Sequence, residues 1–247
     1  MSVPLIRVVQ FLDEVLSVAT VKDESKNGLQ VEGGPELRGV RLGVDACLRA
    51  AKACKEGDLL LVHHGLFWGA YQPIAGRTKA MVQALLDRRV SLYAAHLPLD
   101  MHPEFGNNAA LARWMDLKEW SAFGERGLGV IGALSKPTAL KDLARRAFEI
   151  GPHKGLVQSF GGRTVRRLAI VSGAGASLLQ DAAREGADCL LTGETRHSAY
   201  HEAEELKMNV IYAGHYATET LGLKELGKVL SSRFGLTVSF QDLPTGL

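Results

Sequence analysis

The chain has 247 residues, of which 46% are hydrophobic and 23% are charged, and these proportions exclude disorder over most of its length. The net charge of +2 gives no strong basic field for nucleic-acid binding. The longest charge-free apolar stretches are shorter than the roughly 18 residues that a membrane span needs. Three cysteines without CxxC spacing argue against a disulfide framework and a zinc ribbon, so we expect a cytoplasmic protein.

The amino-terminal segment predicts an amphipathic first helix. Its apolar residues recur at helical spacing: Leu5, Val8, Val9, Leu12, Val15 and Leu16. Arg7, Asp13 and Glu14 interrupt this run, so the segment does not have the apolar core of a signal peptide.

Residues 40–100 and 165–219 have similar patterns of short apolar strands and helices. In the first stretch we expect strands over 41–45, 58–62 and 91–95, and helices over 49–57 and 79–90. In the second we expect strands over 167–171, 188–192 and 209–213, and helices over 178–186 and 199–208. The fold class predicted is therefore α/β, with two β-α-β-α-β lobes of parallel strands related by a weak internal repeat.

The segment between these stretches predicts a strand over 128–134, a helix that Ser135–Thr138 opens and that runs to Ile150, and a glycine-rich return over 151–162. We assign residues 1–124 to the first lobe and 125–247 to the second, with 125–164 as a connecting strand and helix. The glycines of Gly127-Leu-Gly-Val-Ile-Gly132 fall in the strand itself, so this motif does not predict a dinucleotide site.

Histidines follow the predicted parallel strands, where sites form in α/β sheets. His96 and Asp100 follow one third strand as His215 and Glu219 follow the other, each pair with the spacing His-x-x-x-carboxylate. With the histidines at 63 and 64, these residues suffice for two divalent ions in a cleft between the lobes. The alternative is that each histidine is a hydrogen-bonded core residue. Adjacent strand side chains also point to opposite faces, unless the backbone turns at Gly65.

Two further segments leave alternatives open. Ser172-Gly-Ala-Gly-Ala-Ser177 lies between a strand and a helix, where backbone N–H groups bind an anion or form a tight turn that Ser177 caps. Glu194, Arg196 and His197 either border a substrate pocket or begin a surface helix.

The sequence resembles the NIF-three-like proteins, also described as GTP cyclohydrolase I type 2-like. The matching pieces are Asn27-Gly-Leu-Gln-Val-Glu-Gly33, Val62-His-His-Gly65, His96-Leu-Pro-Leu-Asp100, Gly127-Leu-Gly-Val-Ile-Gly132, Thr192-Gly-Glu194 and Gly214-His-Tyr-Ala-Thr-Glu219. They extend over nearly the whole chain. Each piece alone is weak, but the combination is specific.

The resemblance implies a dinuclear metal centre, with Zn, Mn, Fe or Ni as candidate ions. His64 and Asp100 would hold one ion, His63 and His215 the other, and Glu219 would bridge them. It also implies assembly into a toroidal homohexamer.

His96 matches the family histidine four residues before the aspartate. We interpret it as a catalytic residue that transfers protons or orients its neighbours, and a structural role is the alternative. Leu97-Pro-Leu99 stands where many relatives are expected to be polar, which alters the pocket lining without removing a ligand.

The leading functional hypothesis is a hydrolase that uses metal-bound hydroxide on a nucleotide or a related small molecule. Purine ring opening, as in GTP cyclohydrolase, is one option, and phosphoester hydrolysis fits the same ligands. The alternatives are a non-enzymatic metal-binding scaffold or regulatory ring, and a DNA-handling protein, which the near-neutral charge disfavours.

Overall fold

The structure is a computed structural model that describes residues 2–152 and 154–247. The strands are β1 (Val3–Pro4), β2 (Gly28–Val31), β3 (Glu36–Leu37), β4 (Gly39–Asp45), β5 (Asp58–His64), β6 (Ser91–Ala94), β7 (Leu117–Phe123), β8 (Gly129–Ala139), β9 (Leu156–Ser159), β10 (Thr164–Val171), β11 (Cys189–Thr192), β12 (Asn209–Tyr212) and β13 (Thr237–Phe240). The α-helices are α1 (Leu5–Val15), α2 (Leu48–Ala53), α3 (Gly76–Leu86), α4 (Leu97–Asp100), α5 (Asn107–Trp114), α6 (Leu140–Phe148), α7 (Leu179–Arg184), α8 (Ala199–Glu205), α9 (His215–Thr218) and α10 (Thr220–Phe234).

The chain folds into two compact units. The first unit comprises the described residues up to Leu99 together with Leu223–Leu243, and the second comprises Asp100–Gly222 and Pro244–Leu247. This division differs from the boundary expected at residues 124 and 125. Residues 100–124 belong to the second unit because β7 pairs antiparallel with β8 in its sheet.

The first unit contains a five-stranded sheet in the order β13-β4-β5-β6-β2. Strands β13, β4, β5 and β6 are parallel, and β2 is antiparallel at the edge. Helices α2 and α3 connect β4, β5 and β6, so the predicted β-α-β-α-β order is confirmed here. The middle strand β5 is fully buried over Leu59–Val62, which explains its unbroken apolar run. The predicted first helix is also confirmed, and α1 buries Leu5, Val8, Val9 and Leu12.

The second unit contains a six-stranded sheet in the order β7-β8-β10-β11-β12-β9. Strands β10, β11 and β12 are parallel, and helical segments connect them as expected. Side chains alternate between two apolar clusters, with Leu168 and Ile170 in one and Ala169 and Val171 in the other. The sheet is therefore covered on both faces, which is why its central strands lack a polar face. An origin of the two units by duplication stays a prediction.

The segment 135–139 corrects one expectation, because it extends β8 instead of opening a helix. Thr138 pairs with Val165, and the Leu140 amide donates to the Arg163 carbonyl at 2.9 Å, so helix α6 begins only at Leu140. Pro137 is tolerated because the pairing of β7 with β8 reaches only to Leu134. The glycine-rich return also contains an unexpected strand, β9, which pairs antiparallel with β12.

Gly129 and Gly132 lie within β8, whereas Gly127 ends the 3-10 helix Glu125–Gly127, so only two of the motif's three glycines fall in the strand. Among the described helices, none combines the length and apolar character that a membrane crossing requires.

Candidate metal centre

Three histidines of the first unit gather at the carboxyl ends of its parallel strands. His63 and His64 are the last two residues of β5, and His96 follows the end of β6. One ligand-type nitrogen from each of the three rings lies within 4.8 Å of the others. The ring centroids of His63 and His96 are 4.9 Å apart. The sequence pattern at these strand ends therefore produces a compact imidazole cluster.

The adjacent histidines approach one another although they are consecutive in the chain. Their ring centroids are 4.9 Å apart, and β5 ends at His64 with Gly65 outside the strand. A Cβ on Gly65 would lie 2.6 Å from the Ala94 side chain and 2.5 Å from Gln30, so only glycine fits this position. The strict alternation of strand side chains does not extend through this strand end.

Each ring of this cluster turns its Nδ1 atom toward an oxygen atom. The pairs are His63 with the Ala95 carbonyl at 2.8 Å, His64 with Asp45 Oδ1 at 2.9 Å, and His96 with both carboxylate oxygens of Asp23 at 3.0 Å. Carbonyl and carboxylate oxygens only accept hydrogen bonds, so Nδ1 carries the hydrogen and Nε2 carries the lone pair. Metal-binding histidines are held in the same way: the nitrogen that does not bind the metal donates to an oxygen acceptor, which fixes the tautomer and the ring orientation.

In the second unit, glycines follow the three parallel strands and bring the loops together. The Gly193 amide donates to the Gly173 carbonyl at 2.8 Å, and the Gly214 amide donates to the Gly193 carbonyl at 2.9 Å. A Cβ on Gly193 would lie 2.7 Å from both the Gly173 carbonyl oxygen and the Cα atom of His215. These close approaches bring the side chains that follow the strand ends to one place.

His215 lies between two carboxylates. Its Nδ1 is 2.8 Å from Glu194 Oε2, and its Nε2 is 3.2 Å from Oε1 of the buried Glu219. Burial lowers the pKa of His215, but hydrogen bonds and charge from Glu219 and Glu194 outweigh it and raise the pKa to about 9. Such surroundings favour a positive charge at the imidazole position, as a metal cation would also provide.

Asp100 and Glu219 flank the same turn of the second unit. Asp100 Oδ1 accepts from Asn107 Nδ2 at 2.8 Å and from the Ser172 hydroxyl at 2.9 Å. The next residue, Gly173, lies against Glu219 Oε1. Both carboxylates are therefore fixed, with Asp100 only 7% and Glu219 only 3% exposed.

Replacing Gly173 by alanine is expected to displace the Glu219 carboxylate. Gly173 has φ +59°, and a Cβ there would overlap Glu219 Oε1. We expect a loss of about 1–3 kcal/mol in the free energy of unfolding from backbone strain, together with weaker metal binding. Urea denaturation and metal titration would measure both.

Gly186→Ala is the matched control, because Gly186 has φ +78° and an added Cβ there would have no neighbouring atom within 4 Å. It should reproduce the backbone strain and leave metal affinity unchanged. Equal metal affinities of the two variants would contradict the placement of Glu219.

The turn at Ser172–Ser177 does not match the anion-binding alternative. The Ser172, Gly173 and Gly175 amides donate to the side chains of Asn108, Thr218 and Thr192 at 2.8, 3.0 and 2.9 Å. These N–H groups therefore hold the fold together. Ser177 is not the N-cap of α7 either, since Leu178 occupies that position.

The expected substrate residues have different surroundings. Glu194 accepts from Nδ1 of His215 and so positions that ring. Arg196 and His197 are exposed. Their backbone carbonyls accept from the Ala199 and Tyr200 amides at the start of α8. A role of these three residues in substrate binding stays a prediction.

Removing the Glu194 carboxylate is expected to weaken metal binding moderately. In Glu194→Gln the His215 ring loses a charged acceptor, and such losses typically reduce metal affinity by about 10–100-fold. Glu204→Gln is a matched control, because Glu204 Oε2 faces the Nδ1 of His201 at 3.3 Å on the exposed surface. Isothermal titration with Zn²⁺ and Mn²⁺ would measure the change, and equal affinities in both variants would contradict it.

Comparison with known proteins gives one consistent assignment. The sequence model of Duf34/NIF3 (NGG1p interacting factor 3) matches residues 3–245. The chain belongs to this family. A Pyrococcus abyssi protein named GTP cyclohydrolase 1 type 2 homolog is 44% identical over 247 residues, which cover 97% of this chain and 98% of that protein.

Solved structures of this family have the same fold. A Thermus thermophilus protein is 41% identical with a TM-score of 0.90, and the match covers 99% of this chain and 100% of that one. Protein ybgI, described as of unknown function, is 33% identical with a TM-score of 0.92 over 99% of this chain and 100% of that one. These Duf34/NIF3 relatives confirm the resemblance and the mixed α/β fold.

The residues that hold the histidines could not be predicted from sequence patterns. Asp23 lies 73 residues from the His96 side chain that it contacts, and no motif marks it. Asp45 offered a signal, because it ends β4 at the carboxyl edge where sites form. Asn27 lies in the first family-like motif, and its role appears only in the structure.

Proposed function

We propose that this Duf34/NIF3 chain binds two divalent cations and hydrolyses a nucleotide or a related small molecule. His64 and Asp100 would hold one ion, His63 and His215 the other, and Glu219 would bridge them. Zn, Mn, Fe and Ni all suit imidazole and carboxylate ligands, so the donor set does not select one of them.

The orientation of the histidine rings is the observation that carries this proposal. The Nδ1 atoms of His63 and His64 face oxygen acceptors, which favours Nε2 as the coordinating nitrogen. His215 likewise turns Nδ1 to Glu194, and its Nε2 lies beside the proposed bridging carboxylate of Glu219. The carboxylates of Asp100 and Glu219 supply hard oxygen ligands and the negative charge that offsets two cations. Core histidines satisfied only by their neighbours would not require this combination of buried carboxylates and oriented rings.

Hydrolysis is the chemistry that such a centre supports. Bound divalent ions supply Lewis acidity and lower the pKa of water toward neutrality. The protein residues then bind and orient: Glu194 and Asp45 hold the rings of His215 and His64, and His96 is placed to accept a hydrogen bond from a reacting group. A nucleotide substrate is supported by the name of the relatives, GTP cyclohydrolase 1 type 2 homolog.

A metal-dependent activity panel tests the proposal. Protein freed of metal and reloaded with Mn²⁺, Fe²⁺, Zn²⁺ or Ni²⁺ is offered GTP, other nucleotides and phosphoesters. We expect turnover that chelation abolishes; release of formate from GTP identifies purine ring opening, and release of phosphate or alcohol identifies ester hydrolysis. Stoichiometric metal with no turnover on any substrate would contradict the enzyme and favour a metal-binding scaffold.

The proposal also includes a cytoplasmic location and assembly into a toroidal homohexamer, which the sequence resemblance implies. Light scattering coupled to size-exclusion chromatography would detect a particle of six 26.7 kDa chains. DNA binding is disfavoured by the net charge of +2, and a mobility-shift assay over a range of salt concentrations would detect it.

A further inference from the structure

One short segment of the first unit, residues 23–27, contacts both histidine-bearing strand ends. Its backbone pairs with the loop after His64: the Lys26 amide donates to the Phe67 carbonyl at 3.0 Å, and the Gly69 amide donates to the Glu24 carbonyl at 2.7 Å. Its side chains hold the turn after β6, because the His96 amide donates to Asn27 Oδ1 at 2.8 Å. This segment therefore links the two places from which the imidazole cluster is built.

Asp23 is the centre of these contacts. Its side chain is only 3% exposed, and it accepts hydrogen bonds from four groups. The donors are the Ser25 amide at 3.0 Å, Asn27 Nδ2 at 2.8 Å, the Leu97 amide at 3.0 Å and His96 Nδ1 at 3.0 Å. Burial raises the pKa of Asp23, but the bonds from His96, Asn27 and Ser25 outweigh it and hold the pKa well below its usual value. A buried carboxylate with this many donors is ionised and acts only as an acceptor.

The arrangement fixes both the position and the tautomer of His96. Asn27 holds the backbone of His96, while Asp23 holds the ring through Nδ1 and the next amide through Oδ2. The Trp68 ring packs edge-on against His96 with centroids 4.9 Å apart, which restricts ring rotation. One ring nitrogen of His96 lies within 4.8 Å of a nitrogen of His63 and of His64. Because Nδ1 is held by Asp23, Nε2 is the nitrogen available to this cluster.

We propose that Asp23 is the positioning residue of the reaction centre, which holds His96 with Nε2 as a hydrogen-bond acceptor beside the His63–His64 pair. The catalytic consequence rests on the proposed hydrolase function. Nε2 of His96 accepts a hydrogen bond from the O–H group of a water molecule or of a substrate. This contact orients that group. Asp23 touches no substrate and acts only through His96.

A purely structural clamp would make the same backbone contacts, so the test must report on the ring. In Asp23→Asn one carboxylate oxygen becomes an NH₂ donor, and the oxygen that remains is neutral, so Nδ1–H of His96 loses its charged acceptor. We expect the His96 tautomer ratio to shift from Nδ1–H toward Nε2–H, so that the group facing His63 becomes a donor in part of the molecules.

The tautomer can be measured on metal-free, full-length protein with ¹⁵N-labelled histidine by solid-state NMR at mildly alkaline pH. The His96 signals are identified as those missing in His96→Gln. We expect Nδ1–H in the natural protein and an increased share of Nε2–H in Asp23→Asn. Asp13→Asn is the control, because Asp13 Oδ1 accepts from the Tyr93 hydroxyl at 2.8 Å in the same unit, and it should leave His96 unchanged.

Activity and metal content give the second readout. Asp23→Asn is expected to retain the metal content of the natural protein while kcat falls by about 10–100-fold and KM changes little. Nε2–H in the natural protein, or an unchanged tautomer ratio in Asp23→Asn, would overturn the positioning role. If Asp23→Asn does not fold, the positioning role is tested by the His96 tautomer of the natural protein alone, where Nδ1–H supports it and Nε2–H contradicts it. Absent turnover in the natural protein with the expected tautomers would refute the hydrolase but not the positioning role.

Discussion

Glu219→Gln is expected to abolish the metal-dependent activity of the protein. Glu219 is 3% exposed, its Oε1 lies 3.2 Å from His215 Nε2, and it is the proposed bridge between both cations. A neutral amide removes the charge and one of two ligand oxygens. We expect turnover to fall by at least about 100-fold, and bound metal to fall from two ions per chain to one or fewer. Elemental analysis and the panel of nucleotide and phosphoester substrates measure the two effects.

The control for this variant is Glu204→Gln, which removes an exposed carboxylate beside a histidine of the same unit. Circular dichroism would confirm that both variants are folded. Retention of two ions and full turnover by Glu219→Gln would contradict the proposal that Glu219 bridges the two cations. Loss of both in Glu204→Gln would show that the effect is not local to the buried site.

Metal binding is expected to produce a large increase in thermal stability. Ligands that bind only the folded state stabilise it by about 4 kcal/mol at 1,000 times the dissociation constant. For a chain of this size, that corresponds to an increase in Tm of roughly 8–16 °C. Differential scanning calorimetry of protein freed of metal, and then titrated with Mn²⁺ or Zn²⁺, measures the shift.

The same titration of His64→Ala/His215→Ala distinguishes site binding from a general ion effect. These substitutions remove one proposed ligand from each ion, so the increase in Tm should largely disappear. An equal increase in this variant would show that the ions act elsewhere on the protein. No increase in the natural protein would contradict tight binding to the folded state.

The strands that carry the site were predictable because their burial leaves a simple pattern. Leu59–Val62 in β5 and Leu168–Val171 in β10 are covered on both faces, so each is an unbroken apolar run that helices follow. Strands β7 and β9 carry exposed and half-buried residues at the edges of the second sheet, and their sequences do not distinguish them from loops. Segment 135–139 was misassigned because a proline beside a threonine also begins helices.

The proposed metal ligands were predictable from the sequence, but the residues that orient them were not. His63 and His64 end β5, and His96/Asp100 and His215/Glu219 follow later strands with the spacing His-x-x-x-carboxylate, which is the pattern that marks them. The sequence does not pair the acceptors with the rings that they orient, because Asp23 is 73 residues from His96 and Asp45 is 19 residues from His64. Folding selects such partners through the register of distant strands, which a single sequence does not show.

Anomalous X-ray diffraction from crystals of the metal-loaded protein tests the central proposal most directly. Data collected on both sides of the absorption edge of the supplied ion locate each bound cation and identify its element. We predict two anomalous peaks per chain, with His64 and Asp100 on one, His63 and His215 on the other, and Glu219 on both. Absence of peaks at these side chains, or a single peak without Glu219, would contradict the dinuclear centre.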